Sequence, residues 1–182
     1  VHALTKAIMA PASEPPLWEV DANLRPEGKD GPLVRTVESY ERYYKRWAEN
    51  WEFQALLKAR PIAGSAHLGE KYARAIEPFV WESAARDSFV ESVQAMRARV
   101  TDNIPAAQLE RQIKLGPGGL RDVEFTVQLL QLVHGRTDPA VRTKSTLDSL
   151  AALTRASYIS RSDTEAFSRD YKKLRLLEHR IQ

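Results

Sequence analysis

Two cations, Lys114 and Arg121, bracket the turn Gly116-Pro117-Gly118-Gly119, and a helical pattern starts directly after it. Glycine accepts the backbone angles of a tight turn and proline fixes its own φ, so this run reverses the chain where bulky residues could not. A glycine turn that opens a helix exposes backbone N–H groups at the positive end of the helix dipole. The amides of Gly118 and Gly119, flanked by the full charges of Lys114 and Arg121, therefore predict an anion site. The alternative is structural: such glycines can serve only to let a helix pack closely on its neighbour.

The pattern after the turn sharpens the choice. At about 100° per residue, Arg121, Glu124, Gln128 and Gln131 fall in one narrow polar stripe. Leu120, Val123, Val127 and Leu130 flank it on one side, and Phe125, Leu129, Leu132 and Val133 on the other. A surface helix has a wide polar face, so this one is expected to be buried on most sides with a polar seam. The seam must line a cavity or be satisfied by neighbouring helices. Arg121 and Glu124, on the first turn, are the candidates for catalysis.

A second carboxylate of interest is Asp21. Leu17 to Leu24 alternates apolar and polar residues, which predicts a strand with Asp21 on its polar face. Pro26 to Pro32 carry turn chemistry, and Leu33 to Arg35 are the expected partner arm of a hairpin. Asp21, beside Arg25, is a candidate metal ligand or general base, against the plain alternative of a solvated strand residue.

Helical spacing predicts segments over 37–48, 51–59, 66–79, 85–101, 119–134, 145–156 and 162–182, with residues 2–10 as the end of another helix. Breaks are expected at Pro61/Gly64, Pro78, Pro105, Gly116–Gly119, Gly135 and Pro139. Thr36 and Ser162 are predicted N-caps, the latter with Glu165 in a capping box. Tyr40, Tyr43, Tyr44, Trp47 and Trp51 recur at helical spacing and are expected to pack between helices. His134 is expected to end its helix, and the cations from Arg169 to Arg180 to form a solvated face.

Composition narrows the function classes. The chain has 27 basic and 24 acidic residues, a net charge of +3, and no block of like charge, so nothing favours nucleic acid as a partner. No apolar run is long enough to span a membrane. The absence of cysteine excludes thiol chemistry and fits a reducing compartment, so a cytoplasmic location is expected. The histidines lack metal-ligand spacing.

The segment Asp21-Ala22-Asn23-Leu24-Arg25-Pro26 through Val34 resembles the nucleotidyltransferase domain of the glutamine synthetase adenylyltransferase family. The likeness continues through Tyr43-Tyr44, Trp47 and Trp51 to Arg60, and returns in Ile113 to Phe125 and Gln128 to Leu132. These enzymes attach AMP to glutamine synthetase and remove it. The turn at 114–125 looks most like that of the N-terminal, adenylyl-removing half rather than the adenylylating half. The resemblance implies a mainly α chain, a helical bundle following the last strand or hairpin of a truncated nucleotidyltransferase α/β domain. Residues 1–35 would be the remnant of that domain and 36–182 a helical domain, itself incomplete.

The resemblance also implies chemistry. Asp21 is similar to the third metal-binding carboxylate of the family, and the cofactor would be Mg²⁺. The other two come from a Gly-Ser-Asp-x-Asp motif that does not occur in these residues, so the chain on its own is expected to be inactive and to bind Mg²⁺ weakly. Asn23 stands where relatives often have Arg. In the adenylyl-removing reaction phosphate attacks the AMP–tyrosine bond, and Arg25, Lys58, Arg60, Lys114 and Arg121 are the cations offered to phosphate or nucleotide. Glutamine synthetase, the PII signal protein, ATP, ADP and phosphate are the implied partners. A helical module that binds glutamine synthetase or PII, its seam purely structural, is the competing expectation.

Overall fold

The computed structural model describes residues 2–10 and 20–181, and it is mainly α, with no strand among those residues. Among the described residues eight α-helices follow one another: α1 His2–Met9, α2 Val37–Arg46, α3 Asn50–Leu56, α4 Ala66–Glu82, α5 Phe89–Asp102, α6 Leu120–Gly135, α7 Thr146–Arg155 and α8 Arg161–Ile181. Several of their starts are set by side chains that satisfy otherwise orphaned amides. Thr36 accepts from the Ser39 amide at 3.2 Å, and Ser145 from that of Asp148 at 3.3 Å. Glu52 reaches back to the Glu49 amide at 2.9 Å.

Three local expectations are corrected. The cap of α8 is Ser160 rather than Ser162, because its hydroxyl accepts from the Asp163 amide at 3.0 Å and donates to the Asp163 carboxylate at 2.7 Å. Pro78 does not end α4, which runs through it to Glu82. Proline removes one intrahelical bond, but Ile76 and Val80 on either side are buried, and that burial outweighs the loss. The predicted hairpin is absent: residues 17–19 lie outside the described residues, while 20–24 and 33–35 pair with no strand.

A hairpin needs two arms that exchange ladder bonds, and here one arginine takes up the carbonyls instead. Arg25 donates to Ala22 O at 2.6 Å, Gly31 O at 2.9 Å and Lys29 O at 3.0 Å, closing the segment as a loop. Gly31 is required by close approach, since a Cβ there would stand 2.1 Å from Pro26 O.

The contacts divide the chain into two units, residues 1–48 with 60–76, and residues 49–59 with 77–182. In the first unit α2 meets the N-terminal part of α4 through Tyr40 and Tyr72, ring centroids 5.1 Å apart and edge to face. Tyr44 is buried, but Trp47 is 73 % exposed, against the expectation that it packs inside.

The second unit holds the larger core. Val127 of α6, Val141, and Leu150 and Leu153 of α7 are fully buried together, with Leu130, Tyr158 and Phe167 packed around them. Each such side chain contributes about 1.5–3 kcal/mol by leaving water. At the end of α6, Gly135 lets the backbone approach Trp81, whose ring a Cβ would meet at 2.6 Å.

Candidate functional site

The glycine turn forms as the spacing predicts, for reasons that differ from residue to residue. Gly118 has φ +72°, a left-handed conformation that favours glycine. Gly116 and Gly119 are needed for space, because a Cβ would lie 2.5 Å from Gln112 O and 2.6 Å from Ile113 O respectively. Arg97 of α5 fastens the turn, donating to Gly116 O at 3.2 Å and to the Asp122 carboxylate at 2.5 Å.

That carboxylate changes what the turn can bind. Asp122 accepts from the Gly118 amide at 2.6 Å. The amides of Gly119, Leu120, Arg121 and Asp122 donate to the carbonyls of Gly116, Ile113, Lys114 and Gly119, all between 2.9 and 3.1 Å. The donors expected to face an anion thus already have protein acceptors. Gly118 and Gly119 shape the turn, and any anion nearby must be held by side chains.

Side chains do gather there. The polar seam of α6 splits in two along its length. Gln131, fully buried, donates to Val141 O at 2.7 Å and Thr143 O at 2.9 Å, tying α6 to the approach of α7. The other part opens into a pocket of about 510 Å³ lined by Lys58, Lys114, Arg121, Lys144, Tyr171 and Arg175, with Glu124 and Gln128 on its α6 wall. Gln128 is held by Gln54 of α3, whose amide donates at 2.9 Å.

Glu124 is the hub of the pocket. One carboxylate oxygen accepts from Tyr171 Oη at 3.1 Å and Arg175 Nη2 at 2.7 Å, and the other from Arg121 Nη1 at 3.4 Å. Arg175 also reaches Glu178 at 2.6 Å, and Lys114 pairs with Glu178 at 3.3 Å. Burial works against the Glu178 charge, yet the bonds from Arg175 and Lys114 hold its carboxyl below the ordinary range. Five cations and one carboxylate, Glu124, therefore line one cavity, with Glu178 paired to two of the cations, which leaves a positive excess.

Arg175 and Glu178 belong to the stretch expected to form a solvated face, and no expectation singles out Tyr171. The three are spaced by four and three residues, which puts them on one stripe of α8, and that stripe was the available signal. Lys144 and the Arg97–Asp122 clasp gave no comparable sign.

The remaining predicted residues belong to the first unit. Asp21 is exposed, and one carboxylate oxygen accepts from the Asn23 amide at 2.8 Å. The Arg25 guanidinium is occupied by the three carbonyls of its own loop, and Arg60 is exposed. No three His, Cys, Asp or Glu side chains come together as a metal cage among the described residues, so Asp21 alone does not fit a Mg²⁺ site. No helix among those residues is long and apolar enough to cross a membrane.

Residues 1–75 match the family model described as glutamate-ammonia ligase adenylyltransferase, and residues 88–182 match that of GlnD PII-uridylyltransferase. The bifunctional glutamine synthetase adenylyltransferase/adenylyl-removing enzyme of Leifsonia xyli subsp. xyli is 66 % identical over 97 % of this chain, which is 18 % of that protein. Proteins of the same name from Streptomyces avermitilis and Bifidobacterium longum subsp. infantis are 61 % and 56 % identical over 91 % and 100 % of the chain. In both cases the match takes up 17 % of the relative, so the chain spans less than a fifth of the length of these proteins.

Proposed function

The chain belongs to the family of bifunctional glutamine synthetase adenylyltransferase/adenylyl-removing enzymes, and from that premise we propose that it supplies the helical wall of an adenylyl-removing site. In that reaction an oxygen of inorganic phosphate bonds to the phosphorus of adenylyl-tyrosine on glutamine synthetase. The bond from phosphorus to the tyrosine oxygen breaks, phosphate gives up its proton, the tyrosine oxygen gains one, and ADP leaves. Charge gathers on the transferred group, so positioned cations carry much of the catalysis.

The observation that carries this reading is the pocket itself, where Arg121, Arg175, Lys58, Lys114 and Lys144 meet around Glu124. Glu124 holds Arg121 and Arg175 in place, and Arg121 is the group assigned to the transferred phosphoryl. The Mg²⁺ implied by the resemblance would need further carboxylates to join Asp21. Arg25, fully engaged in its loop, then acts by shaping the Asp21 segment.

The comparisons support a site for transfer over a surface for recognition. Residues 88–182, which hold nearly all of this pocket, match a family named for uridylylating PII, while the relatives given above are named for glutamine synthetase. Enzymes named for different target proteins have nucleotidyl transfer in common, not the target. The test is phosphate-dependent ADP release from adenylylated glutamine synthetase by a protein of full family length. Arg121→Ala is expected to lower that rate by about 10²-fold or more. Wild-type rates in both Arg121→Ala and Asp21→Asn would refute the assignment.

A further inference from the structure

Glu124, which lines the pocket, and Glu178, which pairs with two of its cations, neutralise those cations unevenly. Glu124 takes Arg121 and Arg175, and Glu178 takes Arg175 and Lys114. Lys58 and Lys144 remain, and neither has a carboxylate partner among the described residues. They lie side by side, because the Lys58 ammonium donates to the Lys144 carbonyl at 2.6 Å and to the Thr146 hydroxyl at 3.4 Å. An ammonium has three donors, so one is left over. Lys58 is half-buried, and burial pushes its pKa below the ordinary value. Glu124 opposes that shift, while Lys144 and Arg175 add repulsion. Glu77 acts on Lys144 as Glu124 does on Lys58, so a carboxylate reaches each lysine only through space, and the fold holds two like charges on one wall with no carboxylate within ion-pairing distance of either among the described residues.

We infer that Lys58 and Lys144 form a subsite for a phosphoryl oxyanion on the wall where α3 meets the start of α7. This deepens the reading given above and rests on it. Guanidinium forks match carboxylates and phosphates alike, but the two in this pocket already bond to Glu124 and Glu178, so the charge without an ion pair belongs to the ammoniums. Ammoniums are compact point charges without a fixed fork, and they suit a tetrahedral group carrying two negative charges. Inorganic phosphate and the terminal phosphate of a nucleoside diphosphate share that chemistry. Lys58 places the oxyanion, and Lys144 supplies the second charge from the exposed side of the wall.

Calorimetric titration of the 182-residue chain with inorganic phosphate, and separately with ADP, at fixed ionic strength tests the subsite. Saturable binding is expected, weakened at least tenfold by Lys144→Met and restored by Lys144→Arg. Lys173→Ala, on the exposed face of α8, is expected to stay within twofold of wild type. Saturation by phosphate alone identifies free phosphate as the ligand, and saturation by ADP with only weak phosphate competition identifies the nucleotide. A melting curve of Lys144→Met confirms that the variant is folded. If a folded Lys144→Met retains wild-type affinity, or if neither ligand saturates the wild type, the inference is overturned. Since the readout is binding, a lost ADP-release activity with intact phosphate binding would count against the proposed reaction alone.

Discussion

Replacing Asp122 by alanine removes the one side chain that fastens both sides of the glycine turn. Its carboxylate accepts from Arg97 Nε at 2.5 Å and from the Gly118 amide at 2.6 Å. Hydrogen bonds to a charged group contribute about 1.5–3 kcal/mol each, so the gross loss is about 3–6 kcal/mol. Two features reduce it. The Asp122 side chain is 36 % exposed, so water takes over part of its role at Gly118. Arg97 is only 14 % exposed, but it keeps Thr101 Oγ1 and Gly116 O as acceptors.

The net cost is then about 2–3 kcal/mol, or a drop of about 4–12 °C in melting temperature for a chain of this size. Asp122→Asn retains a neutral acceptor for Gly118 and is expected to lose about half as much. Thermal melts by circular dichroism give the global value. Amide hydrogen exchange gives the local one, with the Gly118 and Gly119 amides losing protection ahead of the core of α6. If Asp122→Ala melts within 2 °C of wild type and Gly118 stays protected, Asp122 does not fasten the turn and the reasoning fails.

Other outcomes follow from single contacts. Gly135→Ala puts a Cβ 2.6 Å from the Trp81 ring and should destabilise by about 1–3 kcal/mol in a urea melt, whereas a neutral result would mean that the ring moves freely. Gln128→Ala strands the buried amide of Gln54 and should cost about 1–3 kcal/mol; the Gln54→Leu/Gln128→Leu double variant, with both partners apolar, should be closer to wild type. The Glu38 carboxyl is held down to about 2 by its hydrogen bond from Lys71. Because the folded pKa is depressed, its contribution to stability is present above the ordinary carboxylate range and fades as pH falls from there toward 2. An NMR titration of Glu38 should show this low midpoint, and Lys71→Met should bring it back toward the ordinary value.

The helices were legible because their evidence is local. Thr36, the 3.6-residue periodicity and the glycine turn all act within a few residues, and α2, α6 and α7 start and stop within two residues of the predicted bounds. The strand was misread for the same reason. Alternation over 17–24 describes a ribbon with two faces, but a strand exists only with a partner, and no local pattern shows whether one is there. Arg25 illustrates the difference: its guanidinium closes the loop onto carbonyls up to six residues ahead, where a ladder would have used another strand. Pro78 erred in the opposite direction, since burial on both sides overrode a local rule.

In the site, sequence located one wall and mistook how it works. The wheel placed Arg121, Glu124 and Gln128 together, and they do share the pocket. It could not show that Glu124 meets Tyr171 and Arg175, 47 and 51 residues away, nor that Lys58 reaches Lys144, 86 residues away. Those long separations decide the electrostatics. Had the turn amides been free, the glycines would have been the anion site and the side chains secondary. With Asp122 inside the turn, a second anion beside it would meet a carboxylate, so the place for a phosphoryl group moves across the pocket to the wall whose two ammoniums have no ion-pairing carboxylate among the described residues. The glycines set the position of Lys114 and Arg121, Glu124 and Glu178 neutralise the guanidiniums, and Lys58 and Lys144 carry the positive charge that remains for a ligand.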